Sequence, residues 1–460
     1  MSARALRPAA FAIAWAVLGA GASNVRAQAP AAAPANSDAT TTLPAIHEWK
    51  LKNGLSVAHV ERPGLPMVTV QVWYRFGSKD EPNGQHGAAR AFERLMFMGS
   101  ERVRSDDHRR YVEQVGGEST ALITEDVSAF HNALPVEQLD VALELEAERM
   151  RRLLVRSEAV ESIRPAMLDE LGRQESSPVY RAYQRLLSLV FSAHPYAWSP
   201  LGVRADLQKL SGAQLKALYD AYFVPSNALV VVVGGVSRDA AARAIERWFG
   251  ALAAGKPPAG AAAAEPAQTE PRRQELAGSP IGVVMAGHRL PAASDADVLA
   301  LQITGMVLAG GESSRLHRRL VRAKLADEIG GQVLVRRDGG VLVAFARFSS
   351  GSAAGVEKAL AAEIDRMAAQ GPTLAEVKRA RGQILGGAWF GMESATGLAN
   401  QIGVSWGLTG KPAGFLADLA ELEKIGPAQV RRAAAKYLSK KQRALVVAEP
   451  GAARPAGGAQ

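Results

Sequence analysis

Two stretches of this chain repeat one another. "LSGAQLKALYDAYFVPSNALVVVVGG" (210–235) aligns without a gap to "IGPAQVRRAAAKYLSKKQRALVVAEP" (425–450) at a constant offset of 215. Ala213 matches Ala428, Gln214 matches Gln429, Tyr222 matches Tyr437 and Val231 matches Val446. Each copy reads as an amphipathic helix followed by a continuous apolar strand. One matching spot can be chance, but a constant offset with this polarity pattern points to duplication. A duplicated chain must build the same supersecondary unit twice, which divides 460 residues into two halves of ordinary domain size.

The punctuation agrees. Residues 28–44 are rich in Ala, Pro and Thr and read as a flexible lead-in, and residues 253–273 read as a linker. The tail 451–460 has the same character. These boundaries leave an N-terminal domain at 45–252 and a C-terminal domain at 274–450. In the first half "GLSVAHVE" and "MVTVQVWYRF" read as strands, and helical patterns follow at 85–98, 106–115, 136–152 and 157–185. Strands running into long helices, with antiparallel returns, predict an α+β fold: two duplicated domains, each a mainly antiparallel sheet packed with helices. "LAGGESSRLHRRL" (308–320) lacks the Lys-Ser/Thr of a phosphate loop and reads as a glycine turn with a serine cap opening a helix.

Residues 1–27 stand apart. Arg4 and Arg7 precede an apolar run from about Ala9 to Ala22, and Val25-Arg26-Ala27 suits a small-x-small cleavage site. This predicts an exported, periplasmic protein with no membrane span once the signal peptide is removed, because the run is shorter than the ~20 residues a bilayer requires. The net charge is +9, and the segment carries three arginines and no acids, so the mature chain has 9 − 3 = +6. That charge is dispersed rather than gathered in a block, which gives nucleic-acid binding no support. With no cysteine, disulfides and thiolate metal sites are excluded.

The residues that carry chemistry lie in "GAARAFERLMFMGS" (87–100). Arg90, Glu93 and Arg94 share one helical face in an otherwise apolar segment. "GQHGAARAFERLMFMGS" resembles the motif region of the pitrilysin/insulinase family of zinc peptidases, the inverted zincins, whose motif is H-x-x-E-H. "GGESTALITEDVSAF" (116–130), "LELEAERMRRLL" (143–154), "HPYAWSPLG" (194–202), "YFVPSNALVVVVGG" (222–235) and "GGESSRLHRRL" (310–320) extend the resemblance in order and spacing. It covers roughly 45–450 and accounts for the duplication, since the family is built from two related halves.

Carried over position by position, the resemblance places the two zinc-ligand histidines on Arg90 and Arg94. The general base falls on Glu93 and the distal ligand on Glu170. Arginine stays protonated and offers no lone pair, so neither substituted position can bind zinc. The eight histidines contain no pair at i, i+4 spacing to compensate. We therefore expect no metal cofactor here, although active family members carry zinc. Arg90 and Arg94 are expected to pair with Glu170 and Glu93, replacing the metal by a salt-bridge cluster. Thr120 and Ala121 fall on the family's peptide-binding edge strand, and Arg315 or Arg322 remains able to touch a substrate carbonyl or carboxylate.

Three functional readings stay open. The first is the non-catalytic subunit of a heterodimer with a homologous zinc-bearing chain, capturing and enclosing peptides. The second is an active zinc metallopeptidase with an unorthodox site, and the third is a structural or peptide-binding homodimer. Whether the chain is an enzyme turns on residues 90 and 94.

Overall fold

The computed structural model describes residues 43–258 and 264–450. The expected signal peptide, the lead-in up to residue 42 and the tail from 451 lie outside the described residues.

Eleven strands form two sheets. The first contains β1 (His47–Lys50), β2 (Ser56–Glu61), β3 (Met67–Tyr74), β4 (Glu118–Ile123), β5 (Ser128–Pro135) and β6 (Ala228–Gly234), in the order β1-β2-β6-β3-β5-β4. The second contains β7 (Arg272–Ser279), β8 (Gly282–Arg289), β9 (Glu328–Leu334), β10 (Val341–Phe348) and β11 (Arg443–Pro450), in the order β7-β11-β8-β10-β9. Strand pairs β2–β6 and β7–β11 are parallel and the others antiparallel. The order β2-β6-β3-β5-β4 thus recurs as β7-β11-β8-β10-β9. The 215-residue offset holds structurally, since β3 and β8 begin at 67 and 282, and β6 and β11 at 228 and 443.

The helices of the first half are α1 (Ala88–Leu95), α2 (Asp107–Gln114), α3 (Leu139–Arg151), α4 (Ser157–Glu175), α5 (Pro178–Val190), α6 (Arg204–Leu207), α7 (Gly212–Tyr222) and α8 (Arg238–Phe249). Those of the second are α9 (Val298–Ala309), α10 (Ala353–Gln370), α11 (Leu374–Met392), α12 (Ala395–Thr409), α13 (Gly414–Leu422) and α14 (Pro427–Tyr437). The single helix expected over 157–185 is two. Ser177 accepts a hydrogen bond from the Tyr180 N–H at 3.4 Å, and Pro178 opens α5, where its missing N–H costs nothing. The turn at 308–320 has its serine cap, the Ser314 hydroxyl accepting from the His317 N–H. The helix that follows is widened to π spacing over His317–Val321.

The continuous apolar strands are explained by what covers them. One face of β6 puts Val230 and Val232 into the core of its own half. The opposite face puts Leu229, Val231 and Val233 against Leu398, Ala399, Ile402 and Trp406 of α12, a helix of the other half. The arrangement is reciprocal, because Ala444, Val446 and Ala448 of β11 pack against Ala182, Leu186 and Val190 of α5. Each half lends a helix to the other's sheet, so the central strands of both sheets are buried on both faces, and β6 and β11 read as unbroken Val/Leu/Ala runs rather than alternating ones. Burying each such side chain contributes about 1.5–3 kcal/mol. Gly403 permits the close approach of α12, since a β-carbon there meets Trp73 Cε2 at 1.9 Å.

The two edge hairpins also interlock. The β9–β10 turn of the second half inserts Arg336, 3% exposed, into the first. There its guanidinium pairs with Glu125 of the β4–β5 turn and lies over the rings of Tyr196 (4.9 Å) and Phe191 (5.9 Å). Next to it the Arg337 N–H donates to Asp126 at 3.1 Å, and the Tyr196 hydroxyl donates to Asp126 at 2.5 Å. Lys79 bridges Asp338 (2.6 Å) and Asp126 (3.3 Å). Arg336→Ala strands a buried carboxylate and is expected to cost about 3–5 kcal/mol in urea-monitored unfolding. A cost near zero would mean that α5, α12 and the neighbouring Lys79–Asp338 and Arg337–Asp126 bonds hold the halves together without it.

Residues assigned to the linker are tied down near its end. Glu265 accepts from the consecutive N–H groups of Ser192 (2.7 Å), Ala193 (2.8 Å) and His194 (2.8 Å), and β7 begins at Arg272.

Candidate functional site

Helix α1 owes its start to a residue well upstream. The carboxylate of Glu81, wholly buried, accepts from the Gly87 N–H (2.9 Å) and the Ala89 N–H (2.7 Å), satisfying donors that a helix N-terminus otherwise leaves unpaired. Burial pushes the Glu81 carboxyl above the usual range, and these bonds together with His86 oppose the rise. Gly87, at φ +107°, makes the turn into the helix. Ala88, Ala89, Ala91, Phe92 and Leu95 are buried on the core side, which leaves Arg90, Glu93 and Arg94 on the opposite face.

That face meets α4. Arg90 donates through Nη1 to Glu93, one turn along its own helix, and through Nη2 to Glu170 of α4. Arg94 donates through Nη2 to the other oxygen of Glu170 at 3.0 Å. Glu170 thus accepts from both guanidiniums, one on each oxygen. The four side chains, one-fifth to one-third exposed, form a neutral cluster of two cations and two anions. Desolvation raises the Glu93 carboxyl above its ordinary value, Arg90 opposes the rise and Glu170 adds to it.

A zinc ion does not fit these residues. Arg90 and Arg94 present N–H groups and no lone pairs, and the oxygens of Glu170 are taken up by guanidinium. No cluster of three or more His, Asp, Glu or Cys able to hold a metal occurs among the described residues. His86, the histidine nearest in sequence, turns elsewhere. Its Nδ1 lies 3.7 Å from Glu81 and its ring stacks on Trp198 at 4.9 Å.

The other expected site residues are scattered. Thr120 and Ala121 lie on β4, opposite His131 and Phe130 of β5, and β4 is the outer strand of its sheet, packed beside α1. Arg315 is committed within the second half. It donates to both oxygens of Glu376 (2.8 and 2.7 Å) and to the Gly371 carbonyl (2.9 Å), a grip that holds the Glu376 carboxyl down at about 2. Arg322 is exposed at the end of the π-helical turn. The structure therefore brings together residues 90, 93, 94 and 170 and keeps Arg315 apart from them. The role of Glu81 escaped the sequence reading, because a carboxylate six residues ahead of the N-cap Gly87 matches no local capping pattern.

Two reciprocally packed α+β repeats, with Arg90, Glu93 and Arg94 of α1 tied to Glu170 of α4, make a two-domain chain of one particular family. Comparison with known proteins says which. The family model described as insulinase (peptidase family M16) matches residues 56–202, and the model described as the peptidase M16 inactive domain matches residues 209–384. The chain belongs to this family, peptidase M16. It is 29% identical over 299 residues to the zinc protease PqqE of Helicobacter pylori, covering 63% of this chain and 67% of that one. It is 26% identical over 405 residues to an uncharacterized zinc protease of Mycobacterium leprae, covering 86% of this chain and 90% of that one. The crystal structure of a protease from Helicobacter pylori superposes with a TM-score of 0.83 at 25% identity, over 89% of this chain and all of that one.

Proposed function

We propose that this chain is a catalytically degenerate peptidase homologue, the non-catalytic subunit beside a zinc-bearing relative, and that it helps to capture and enclose peptides. The observation that supports this reading is the four-residue ion cluster. Guanidinium groups stand where the resemblance places the ligand imidazoles, and they engage the two carboxylates that are retained. Glu93 keeps one oxygen free, but with guanidiniums in place of a metal its cluster has no Lewis acid to polarise a water for it to deprotonate. The outer strand β4, with Thr120 and Ala121, keeps unpaired main-chain groups that suit an extended peptide. Among the described residues no helix is long and apolar enough to cross a membrane, and the signal-like stretch 1–27 supports an exported, periplasmic protein.

Zinc content is the direct test. After exposure to excess zinc and desalting, elemental analysis of the purified protein is expected to give far less than one zinc per chain, and a value near one overturns the reading. Co-expression with a relative that keeps an intact H-x-x-E-H tests the partnership. The expected result is co-elution and a higher peptidase rate than the relative shows alone.

A further inference from the structure

The two arginines of the cluster are not equally committed. Arg90 uses both terminal nitrogens on protein carboxylates. Arg94, the most exposed of the four at 34%, uses only Nη2. The Nε of each arginine is buried without a partner, and what sets Arg94 apart is that its Nη1 makes no bond to any described residue. Glu93 likewise uses one oxygen only. A guanidinium with an open terminal nitrogen beside the outer strand of a sheet is an incomplete fork, and a fork of this kind is completed by a carboxylate.

We propose that Arg94, supported by Arg90, receives the C-terminal carboxylate of a peptide lying along β4, so that the site grips peptide ends instead of cutting peptide bonds. This rests on the reading of the chain as a peptide-capturing subunit and names the ligand of that same site. The α-carboxylate is the group selected because it continues the main chain. A peptide paired with β4 holds its main-chain end level with the strand, whereas its side chains point above and below the sheet. Helix α1, which carries Arg94, packs against β4.

The groups facing the ligand are Arg90, Glu93 and Arg94 from α1 and Glu170 from α4. The empty cluster is neutral, so the incoming carboxylate is held by the directed donors of Arg94 rather than by net charge.

Fluorescence anisotropy with a labelled peptide of about ten alternating Val and Ser residues tests this, since such a peptide suits strand addition. The probe is made with a free C-terminus, with a C-terminal amide, and as an amide whose last residue is Glu. The expected result is that the free acid binds about tenfold more tightly than either amide, as charge-assisted bonds to one end imply. This preference should disappear in Arg94→Gln, which leaves the Arg90–Glu170 pair in place. Should Arg94→Gln fail to fold, Arg94→Lys keeps the charge without the fork and is expected to lose most of the preference. Equal binding of acid and amides overturns the inference while leaving peptide capture intact, and so does a preference that survives both substitutions. If the Glu-terminated amide matches the free acid, the site reads any carboxylate and end recognition is overturned. If no probe binds, both this inference and peptide capture fall, whereas the zinc measurement still decides the non-catalytic reading.

Discussion

Arg90→His combined with Arg94→His is expected to turn the chain into a zinc protein that holds about one Zn²⁺ per chain, the stoichiometry of a single-site zinc centre. The backbone is already in place for it. Helix α1 is seated by the buried side chains of Ala88, Ala89, Ala91, Phe92 and Leu95 and by its Glu81 cap, none of which the substitutions touch. Glu170 reaches both positions, since it bonds to both guanidiniums. Two imidazoles one turn apart and one carboxylate supply three ligands and leave a fourth position open. Elemental analysis reads the uptake directly, and thermal unfolding gives a second measure. Zinc at a hundredfold excess over its Kd should raise stability by about 2.7 kcal/mol. Either histidine alone leaves an arginine cation against the ion and should bind little. A double variant that remains free of zinc would mean that residues 90, 94 and 170 do not occupy ligand positions.

Glu170→Gln should be the most destabilising single change within the cluster. Glutamine keeps the shape but removes the charge that both guanidiniums share, leaving two cations against Glu93 alone. Breaking a wholly buried pair costs about 3–5 kcal/mol. Side chains one-fifth to one-third exposed are partly screened, so about 2 kcal/mol is expected. For a domain of this size that is a fall in Tm of roughly 4–8 °C. Glu93→Gln, which removes one partner of Arg90 and none of Arg94, should cost about half as much. An unmoved Tm in Glu170→Gln would show that the arginines are solvated rather than held.

Much of this was legible residue by residue. The period of the apolar positions located β2, β3, α1 and α2 to within a few residues, because local hydrophobic patterning and helix geometry operate over one or two turns. The constant offset of 215 gave the repeated strand order its first trace, and the chemistry of arginine was sufficient to doubt a metal at 90 and 94. The division of 157–185 was also written locally, in Ser177-Pro178, but was subordinate to the longer apolar period.

What the sequence determined by itself is therefore the kind of unit, its duplication, and the absence of lone pairs at two arginines on one helical face. The unit and the arginine face depend on side-chain identity and on spacings shorter than two helical turns, and the duplication on a match of the chain with itself. Only the tertiary structure decided that α5 and α12 cover each other's sheets, that Arg336 threads into the opposite half, and that Glu170 binds both arginines while Arg94 keeps a nitrogen open. The charged partners alone lie 76 to 211 residues apart. No periodicity along the chain encodes such distances. They are set by how buried surfaces and opposite charges find their best common packing once every element is in place.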